Sequence, residues 1–311
     1  MAEAKLAICI KGPPGADAPH EPVLEIPVGE LQRRGYWATV GIRLCRDKVS
    51  VACAAVLVLI FLASIFAPLL APHDPAAGSV FKRLAPVGTA GYLLGTDELG
   101  RDMLSRLLYG GRVSLFVGLF PVLGALIIGS TAGIVAGYVG GKTNMAIMRV
   151  MDVFYAFPSV LLAVAISGAL GGGLANVLVS LTLILIPPIA RVAESVATQI
   201  RAYDFVDAAR ASGARTGRII RVHVLGNVLG AIFVYATSLI SFSIIVASGL
   251  SFLGLGVSPP TADWGLMLST LRQAIWTNPS VAALPGVMIF ITSLCFNLLS
   301  DGLRSAMDMR I

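Results

Sequence analysis

The segment Val49–Leu70 reads VSVACAAVLVLIFLASIFAPLL and carries no charged side chain. An α-helix needs about 20 predominantly apolar residues to cross the hydrocarbon core of a bilayer, and this segment has that length. Pro68 and Pro72 close it. Because uncharged runs of this length are too long for the strands and core helices of soluble proteins, the segment predicts a membrane-spanning helix.

Five further apolar runs follow, and each predicts another membrane-spanning helix. The turn Gly171-Gly172-Gly173 separates two of them, and segments with charged side chains separate the others. The approximate boundaries are Val113–Val139, Val153–Leu170, Leu174–Ala190, Val228–Leu250 and Ala282–Ser300. The sequence therefore predicts an all-α integral membrane protein with six transmembrane helices, for which the lipid bilayer is the main solvent.

The composition supports this class and argues against several others. Hydrophobic residues make up 56% of the 311 positions and charged residues only 13%, whereas soluble domains carry about 25% charged residues. The net charge of +6 is not gathered in a basic stripe interleaved with aromatic residues, so nucleic-acid binding is not predicted. Four scattered cysteines and three separated histidines predict no disulfide framework and no metal site. We also find no acid–base constellation, so no catalytic residue and no cofactor is predicted.

The distribution of Lys and Arg predicts the orientation of the chain. These residues concentrate before the first span and in the long loop 191–227, and the positive-inside rule places such segments in the cytoplasm. Both termini are therefore expected to be cytoplasmic, although the outer segment 72–112 is not charge-poor. Residues 1–30 are rich in Pro and Gly and lack a long apolar core, so we expect a flexible cytoplasmic tail rather than a signal peptide.

The predicted spans carry almost no ionisable groups. No Asp, Glu, Lys or Arg occurs within 113–141, 153–190, 222–262 or 273–300. Proton-coupled carriers use such groups as relays inside the membrane, so their absence argues against a proton-driven carrier. An energy source on another subunit is favoured. A sodium-coupled secondary carrier, which uses the backbone carbonyls of broken helices, and a non-transporting membrane scaffold stay open.

The loop 191–227 contains the segment RAYDFVDAARASG, residues 201–213. Asp204 is expected to cap a short helix, and Gly213 is expected to supply the left-handed residue that ends it. Three small residues, Ala208, Ala209 and Ala211, predict a thin face that fits a groove on a partner protein, and Thr216 begins a second short helix. The alternative is an amphipathic helix that lies on the membrane surface with its arginines on lipid phosphates.

This loop resembles the "EAA" loop of ABC-importer permeases, in which Glu-Ala-Ala is followed by Gly, Ile and Leu-Pro. The matching positions here are Asp207-Ala208-Ala209, Gly213, Ile219 or Ile220, and Leu225. Asp207 replaces the usual Glu and keeps its charge, and Gly226 stands where Pro is common. The resemblance implies a coupling helix that docks on the ATP-binding subunit. It identifies Asp207, Ala208, Ala209 and Gly213 as the ATPase-coupling residues.

The segment LGTDELGRDMLSRLLYG, residues 94–110, precedes the second predicted span. Thr96 or Asp97 is expected to cap a helix that carries ion pairs between residues four positions apart, Asp97 with Arg101 and Asp102 with Arg106. Leucines and a methionine form its apolar side, so this helix is expected to lie flat at the outer interface. On chemical grounds alone, it is an amphipathic collar with satisfied ion pairs.

As a pattern, the segment 94–110 resembles the second permease of dipeptide, oligopeptide and nickel importers. The segment LSFLGLGVSPPT, residues 250–261, and Trp264-Gly265 resemble the outer loop of that family, with Ala262 in place of an expected Pro. The resemblance covers roughly residues 45–311, and its three motifs occur in the expected order.

The resemblance implies an ABC type I importer-like permease. Its parts are expected to be the tail 1–30, an N-terminal region 31–111 with the first span and the outer amphipathic segment, and a five-helix core 112–311 that contains the coupling loop. The expected partners are a second homologous permease subunit, two ATP-binding subunits, and an external solute-binding protein that delivers substrate to the outer loops 72–112 and 251–281. The protein is expected in a bacterial inner membrane. ATP hydrolysis is expected on a separate subunit, and the cargo is expected to be short peptides or a related solute such as a nickel chelate.

Three further features have less specific interpretations. Residues 136–143 fit a relaxed phosphate-loop pattern, but the pattern follows a membrane span rather than a buried strand, so we reject it. Pro187-Pro188 predicts a kink, with an ion pair between Arg191 and Glu194 close to the inner surface. Asp152 and Asp301 are expected either to join charges between helices or to contact the ATPase. The span-five serines either line a cavity or donate to carbonyls of their own helix; they are Ser238, Ser241, Ser243 and Ser248.

Overall fold

The computed structural model describes residues 36–307, and these residues form helices and loops without a β-strand. The predicted tail 1–30 lies outside the described residues. The α-helices, in chain order, are α1 (Tyr36–Arg46), α2 (Lys48–Ile65), α3 (Ala67–Leu70), α4 (Met103–Val139), α5 (Gly141–Tyr155), α6 (Ser159–Leu170), α7 (Leu174–Arg201), α8 (Asp204–Ala211), α9 (Thr216–Ile219), α10 (Leu225–Phe252), α11 (Trp264–Thr270) and α12 (Pro279–Met307).

Five of these helices are long and apolar enough to cross a membrane. They are α2, α4, α7, α12 and the helix Thr216–Phe252, in which a π-helical turn, Ile220–Val224, joins α9 to α10. A sixth span exists if the bent pair α5 and α6 is counted as one. The prediction of an all-α membrane protein is confirmed. The count of six holds with that pair included.

The third predicted span is broken rather than straight. Helices α5 and α6 meet at 85°, and α6 has 12 residues, which rise only about 18 Å. Pro158 lies at the break, and proline disfavours a helical conformation in the residue before it, here Phe157. The predicted continuous helix Val153–Leu170 is therefore wrong, because its first residues end α5 and the rest form α6.

Helix α4 is longer than predicted and forms the centre of the bundle. It has 37 residues, which correspond to a length of about 55 Å, and it begins ten residues before the predicted boundary at Val113. Glycines on one side of α4 allow the backbone of α7 to approach closely, as the Gly-rich sequence predicted. A Cβ at Gly137 would lie 2.5 Å from the carbonyl oxygen of Glu194, and one at Gly129 would lie 2.8 Å from that of Ile186.

Two apolar clusters hold the helices together. One lies between α4, α7 and α10 and includes Leu181, Ile189 and Ile232, which are fully buried. The other lies between α2, the first half of α4, α11 and α12, and it surrounds the fully buried Trp264. The loop 71–102 leads into the first residue of α4, and Arg210 of α8 lies over the ring of Tyr138 in the last turn of α4, so the loop and α8 lie at opposite ends of that helix. The end of the bundle at α8 is called the inner end below, and the end at the loop 71–102 is called the outer end.

Candidate functional site

Helix α8 is the predicted partner-binding segment, and its local sequence explains its bounds. Asp204 and Asp207 lie in the first turn and Arg210 in the last, which is the favourable arrangement for the helix dipole. The cap position is occupied by Tyr203, so the predicted capping role of Asp204 is wrong. Gly213 has φ of +79° and ends the helix, as predicted. The amide of Ala214 then donates to the carbonyl of Ala209 at 3.1 Å, which closes a Schellman-type turn.

The small residues of α8 are divided between two faces. Val206 is fully buried, and Ala209 packs beside it against the cluster of α4, α7 and α10. Ala208 and Ala211 are exposed, and so is Asp207, whose side chain is 67% exposed. The predicted thin face therefore consists of Ala208 and Ala211, while Ala209 anchors α8 to its own chain. Successive residues of an α-helix are separated by about 100°, which explains the division.

Arg210 connects α8 to the inner end of α4. Its Nη1 donates to Asp207 Oδ1 at 3.0 Å, and its Cζ lies 5.3 Å from the centroid of the Tyr138 ring. The Tyr138 hydroxyl, with a smaller contribution from Asp207, raises the pKa of Arg210. Arg201, the last residue of α7, donates to the carbonyl of Val139 at 3.2 Å. Through Arg210, helix α8 contacts the inner end of α4 directly, and α4 runs to the opposite side of the bundle.

The charged side chains of α7 bind other helices rather than each other. Arg191 forms an ion pair with Asp152 of α5, and its guanidinium lies 4.7 Å from the centroid of the Tyr155 ring. Glu194 accepts a hydrogen bond of 2.6 Å from Asn144 of α5. The predicted pair of Arg191 with Glu194 is therefore wrong, because the two side chains contact different partners on α5. Asp152 therefore joins charges between α5 and α7, which was one of the two roles expected for it from the sequence.

The outer segment 94–102 is not helical, and its charged residues are largely buried. Gly100 has φ of +71°, which prevents a helix through this segment, and a Cβ there would lie 2.8 Å from the carbonyl carbon of Ser79. Asp102 is the cap residue of α4 and accepts from the amide of Ser105 at 2.8 Å. The predicted flat helix capped by Thr96 or Asp97 is therefore wrong. Residues 103–110 form the largely buried first turns of α4.

Asp97, Arg101, Asp102 and Arg106 form a buried charged group, called the outer cluster below. Its ion pairs are only partly those that the spacing predicted. Asp97 Oδ2 lies 2.6 Å from Arg101 Nε, as predicted, and 3.1 Å from Arg106 Nε. The predicted pair of Asp102 with Arg106 does not form, because Asp102 caps α4. Arg106 also donates from Nη1 to the carbonyl of Pro75 at 3.1 Å. One buried carboxylate therefore holds two arginines and fixes the loop to α4.

The two outer motifs that the sequence analysis singled out contact each other. Trp264 Nε1 donates to the carbonyl of Leu107 at 2.9 Å, and Ser114 Oγ donates to Asp263 Oδ1 at 2.7 Å. Asp263 also caps α11 through the amide of Leu266 at 3.0 Å. The hydrogen bond between Ser114 and Asp263 was not predicted, because the two residues are 149 positions apart in sequence.

The serines of α10 mostly bind within the protein. Ser238 donates to the carbonyl of Tyr235 at 2.7 Å and Ser241 to that of Ser238 at 2.9 Å, as expected if these hydroxyls satisfy their own helix. Ser241 and Ser248 nevertheless reach the edge of a cavity of about 630 Å³ between α10, α11 and α12. The relaxed phosphate-loop pattern lies at the junction of α4 and α5, where one helix follows another without a strand.

The geometry of a helix bundle with a short exposed helix between α7 and α10 agrees with a known family. The sequence profile of the family described as the binding-protein-dependent transport system inner membrane component matches residues 129–311. The chain belongs to this family of ABC-importer permeases. A second profile, described as the N-terminal TM domain of oligopeptide transport permease C, matches residues 35–86.

Curated relatives of this permease cover nearly its whole length. The chain is 39% identical over 278 residues to a glutathione transport system permease protein of Pectobacterium atrosepticum, which covers 89% of this chain and 92% of the relative. It is 40% identical over 275 residues to a dipeptide transport system permease protein of Alkalihalophilus pseudofirmus, covering 88% and 90%. It is 42% identical over 260 residues to a di/tripeptide transport system permease protein of Pseudomonas aeruginosa, covering 82% and 86%.

Solved structures show the same fold. A chain of the MetNI methionine ABC transporter in an inward facing conformation superimposes with a TM-score of 0.55 at 20% identity, and covers 66% of this permease and 97% of that chain. The predicted fold class and family are confirmed. The permease is a transmembrane subunit of an ABC importer, and the sodium-coupled carrier considered from the sequence receives no support.

Proposed function

We propose that this permease conducts short peptides, including peptides of the glutathione type, across the bacterial inner membrane. The observation that carries this proposal is the identity of 39–42% with three permeases named for glutathione, dipeptides and di/tripeptides. A peptide delivered by an external binding protein would enter between this chain and a second homologous permease. Two separate ATP-binding subunits would supply the energy.

We further propose that α8 is the coupling helix on which one ATP-binding subunit docks. Three features support this role: α8 lies between two spans, it exposes Ala208 and Ala211 beside the charged Asp207, and Gly213 fixes its end. A short helix with a small-residue face can enter a groove on a partner at close range. This position requires α8 and both termini to be cytoplasmic, in agreement with the distribution of Lys and Arg.

Uptake in a strain that lacks this permease tests the transport proposal. Tritiated alanyl-phenylalanine should enter cells that carry the permease gene on a plasmid and should not enter cells with an empty plasmid. Uptake should disappear when the Walker-A lysine of the ATP-binding subunits is replaced, because P-loop ATPases bind nucleotide phosphates through that lysine. Replacement of sodium by potassium should have no effect. Uptake of no peptide in the complemented strain, or uptake that survives the loss of the ATPase, contradicts the proposal.

Substitution of the exposed alanine tests the docking of α8. Ala208→Glu places a bulky charge on the outward face and should reduce co-purification of the ATP-binding subunit about tenfold or more, because an uncompensated charge in an interface costs several kcal/mol. The chain offers a matched control in Ala202, an exposed alanine that lies just before α8. Ala202→Glu should leave co-purification unchanged. Equal retention of the ATPase by both variants assigns α8 to the membrane surface instead.

A further inference from the structure

A cavity of about 280 Å³ lies at the break between α5 and α6. The broken pair forms one side of it, and α7 and α10 form the other. Five of its twelve lining residues are aromatic, among them Tyr155 and Phe157 from the break and Tyr235 and Phe242 from α10. This volume lies just below the range of about 300–1,000 Å³ that holds drug-sized ligands, and such pockets are typically apolar with a few polar groups. The cavity therefore has the size and lining for one amino-acid side chain with its adjacent backbone.

An ion pair flanks this cavity through Tyr155. The Tyr155 ring lines the cavity and also lies 4.7 Å from the Cζ of Arg191. Arg191 donates from Nη2 to Asp152 Oδ1, and the two side chains are 52% and 45% exposed. A guanidinium has five N–H donors, and within the described residues only Nη2 of Arg191 has an acceptor. The pair therefore retains donors for an added carboxylate, and Asp152 Oδ2 remains for an added ammonium group.

The charges of this pair match those of a small peptide. A free peptide carries an ammonium group at one end and a carboxylate at the other, and two extended residues span at most about 7 Å. Arginine binds a carboxylate through two parallel N–H donors, which fixes its orientation. A neutral apolar ligand or a lipid tail would gain nothing from these charges. Charge complementarity thus favours a zwitterionic occupant.

We propose that the cavity at the α5–α6 break and the Arg191–Asp152 pair together form a transient peptide-binding site on the translocation route. The termini of the peptide bind the ion pair, and one side chain enters among Tyr155, Phe157, Tyr235 and Phe242. This inference rests on the proposed peptide-transport function and adds the residues of the chain that contact the peptide.

The structure of the site favours short-lived binding of the peptide. Helix α6 fully buries only Ala163 and Ser167, and its Leu162 and Val164 pack partly exposed against the cluster of α4, α7 and α10. Broken helices at substrate sites are a recurrent arrangement in transporters, where freed backbone groups and helix ends face a cavity. Because both charges are half-exposed, water screens them and the peptide is held weakly. Weak binding permits release after each transport cycle.

Photolabelling of the complete importer tests the location of the site. The probe is tritiated alanyl-p-benzoylphenylalanine, applied to the purified complex of both permeases, both ATP-binding subunits and the binding protein. Cyanogen bromide cleaves this chain after Met151 and Met267, so the fragment 152–267 contains every residue of the proposed site. We expect label in that fragment. Excess alanyl-phenylalanine should suppress it, whereas the acetylated and amidated dipeptide should not.

Substitutions identify the side chains responsible. Arg191→Gln should reduce labelling of fragment 152–267 about tenfold, since a hydrogen bond to a charged group contributes roughly this much. Arg191→Lys should recover part of it, and Tyr235→Ala should reduce it as well. Arg149→Gln, which removes an exposed arginine of α5, is the matched control and should label as the wild type does. Binding-protein-stimulated ATP hydrolysis shows that each variant complex is assembled.

The outcomes separate this inference from the proposed function. Wild-type complex that transports the dipeptide but takes no label in fragment 152–267 overturns the site while the transport function stands. Equal suppression by the zwitterionic and the blocked peptide also overturns it, because the cavity then accepts any apolar group, such as lipid or the second permease. Wild-type complex that transports no peptide refutes both.

Discussion

At the scale of single residues, Gly213 determines the shape of the proposed ATPase-docking segment. Its φ of +79° lies in the left-handed region, where a residue with a Cβ costs about 1–2 kcal/mol and a β-branched one costs more. The space around it is open, with no atom within 4 Å of an added Cβ. A substitution at this position therefore changes the backbone of α8 without a packing clash.

Gly213→Val should leave the permease inserted in the membrane but reduce dipeptide uptake and co-purification of the ATP-binding subunit at least several-fold. The altered exit of α8 shifts Ala208 and Asp207 relative to their docking partner. Uptake of tritiated dipeptide and quantitative immunoblots of the purified complex measure the two effects.

Gly171→Val is the matched control for this substitution. Gly171 has φ of +85° and equally open surroundings, but it lies at the outer end of α6. We expect it to retain the ATP-binding subunit. Loss of the ATPase in both variants indicates that general instability, rather than the shape of α8, is responsible.

At the scale of secondary-structure elements, the outer end of α4 depends on a buried carboxylate. Asp97 is 1% exposed and contacts both Arg101 and Arg106, which are 4% and 2% exposed. Removal of one partner of a buried ion pair leaves an uncompensated charge and costs about 3–5 kcal/mol. Loss of Asp97 should destabilise both the first turns of α4 and the loop 71–102, because Arg106 also donates to the carbonyl of Pro75.

Asp97→Asn should therefore lower the melting temperature of the purified permease complex clearly, while Glu98→Gln should have a smaller effect because Glu98 is partly exposed. Differential scanning fluorimetry in detergent measures both. A melting temperature of the Asp97→Asn protein equal to that of the wild type contradicts the role given to this carboxylate.

At the scale of the whole molecule, α4 joins the outer cluster to α8. Its first turns are held by Asp102 and by the contact with Trp264, and its last turn contacts Arg210 through Tyr138. A single helix of 37 residues thus contacts both the outer loops and the proposed coupling helix. A displacement of α8 is therefore expected to be transmitted along α4 to the outer loops.

Tyr138→Ala should reduce the number of peptides transported per ATP hydrolysed, whereas Tyr138→Phe should retain most of the coupling because the ring still faces the guanidinium. Cation–π contacts contribute about 0.5–1 kcal/mol at exposed sites, which corresponds to a change of roughly two- to fivefold. Proteoliposomes with known peptide uptake and phosphate release give the ratio. Equal ratios for the Ala, Phe and wild-type proteins would show that the contact plays no part in coupling.

The sequence predicted the spans well because length and absence of charge are local properties of the chain. It failed where the structure depends on distant partners. Arg191 and Glu194 are three positions apart and suggested a pair, but α5 supplies a separate partner for each. The spacing of Asp97 and Arg101 suggested a helix, although Gly100 between them already signalled a turn.

The candidate site also combines features that the local sequence predicts with features that depend on distant partners. The end of α8 at Gly213 was readable from turn chemistry, but its cap is Tyr203 rather than the predicted Asp204. The inward position of Ala209 required the packing of α8 against the bundle. Pro158 lies inside the apolar run 153–170, for which the sequence analysis predicted one span. The cavity beside that break depends on four helices, so no local pattern reveals it.

The contacts at the outer end of α4 also determine how hybrid permeases can be built. Arg112 donates to the carbonyls of Ser64 and Ile65 at 2.7 and 2.6 Å, and Asn278 donates to that of Leu84 at 3.2 Å. The region 35–86, which matches the N-terminal profile, therefore accepts hydrogen bonds from side chains in two later parts of the chain. A chimera that takes this region from a relative keeps these contacts only if its backbone brings the carbonyls of residues 64, 65 and 84 to Arg112 and Asn278.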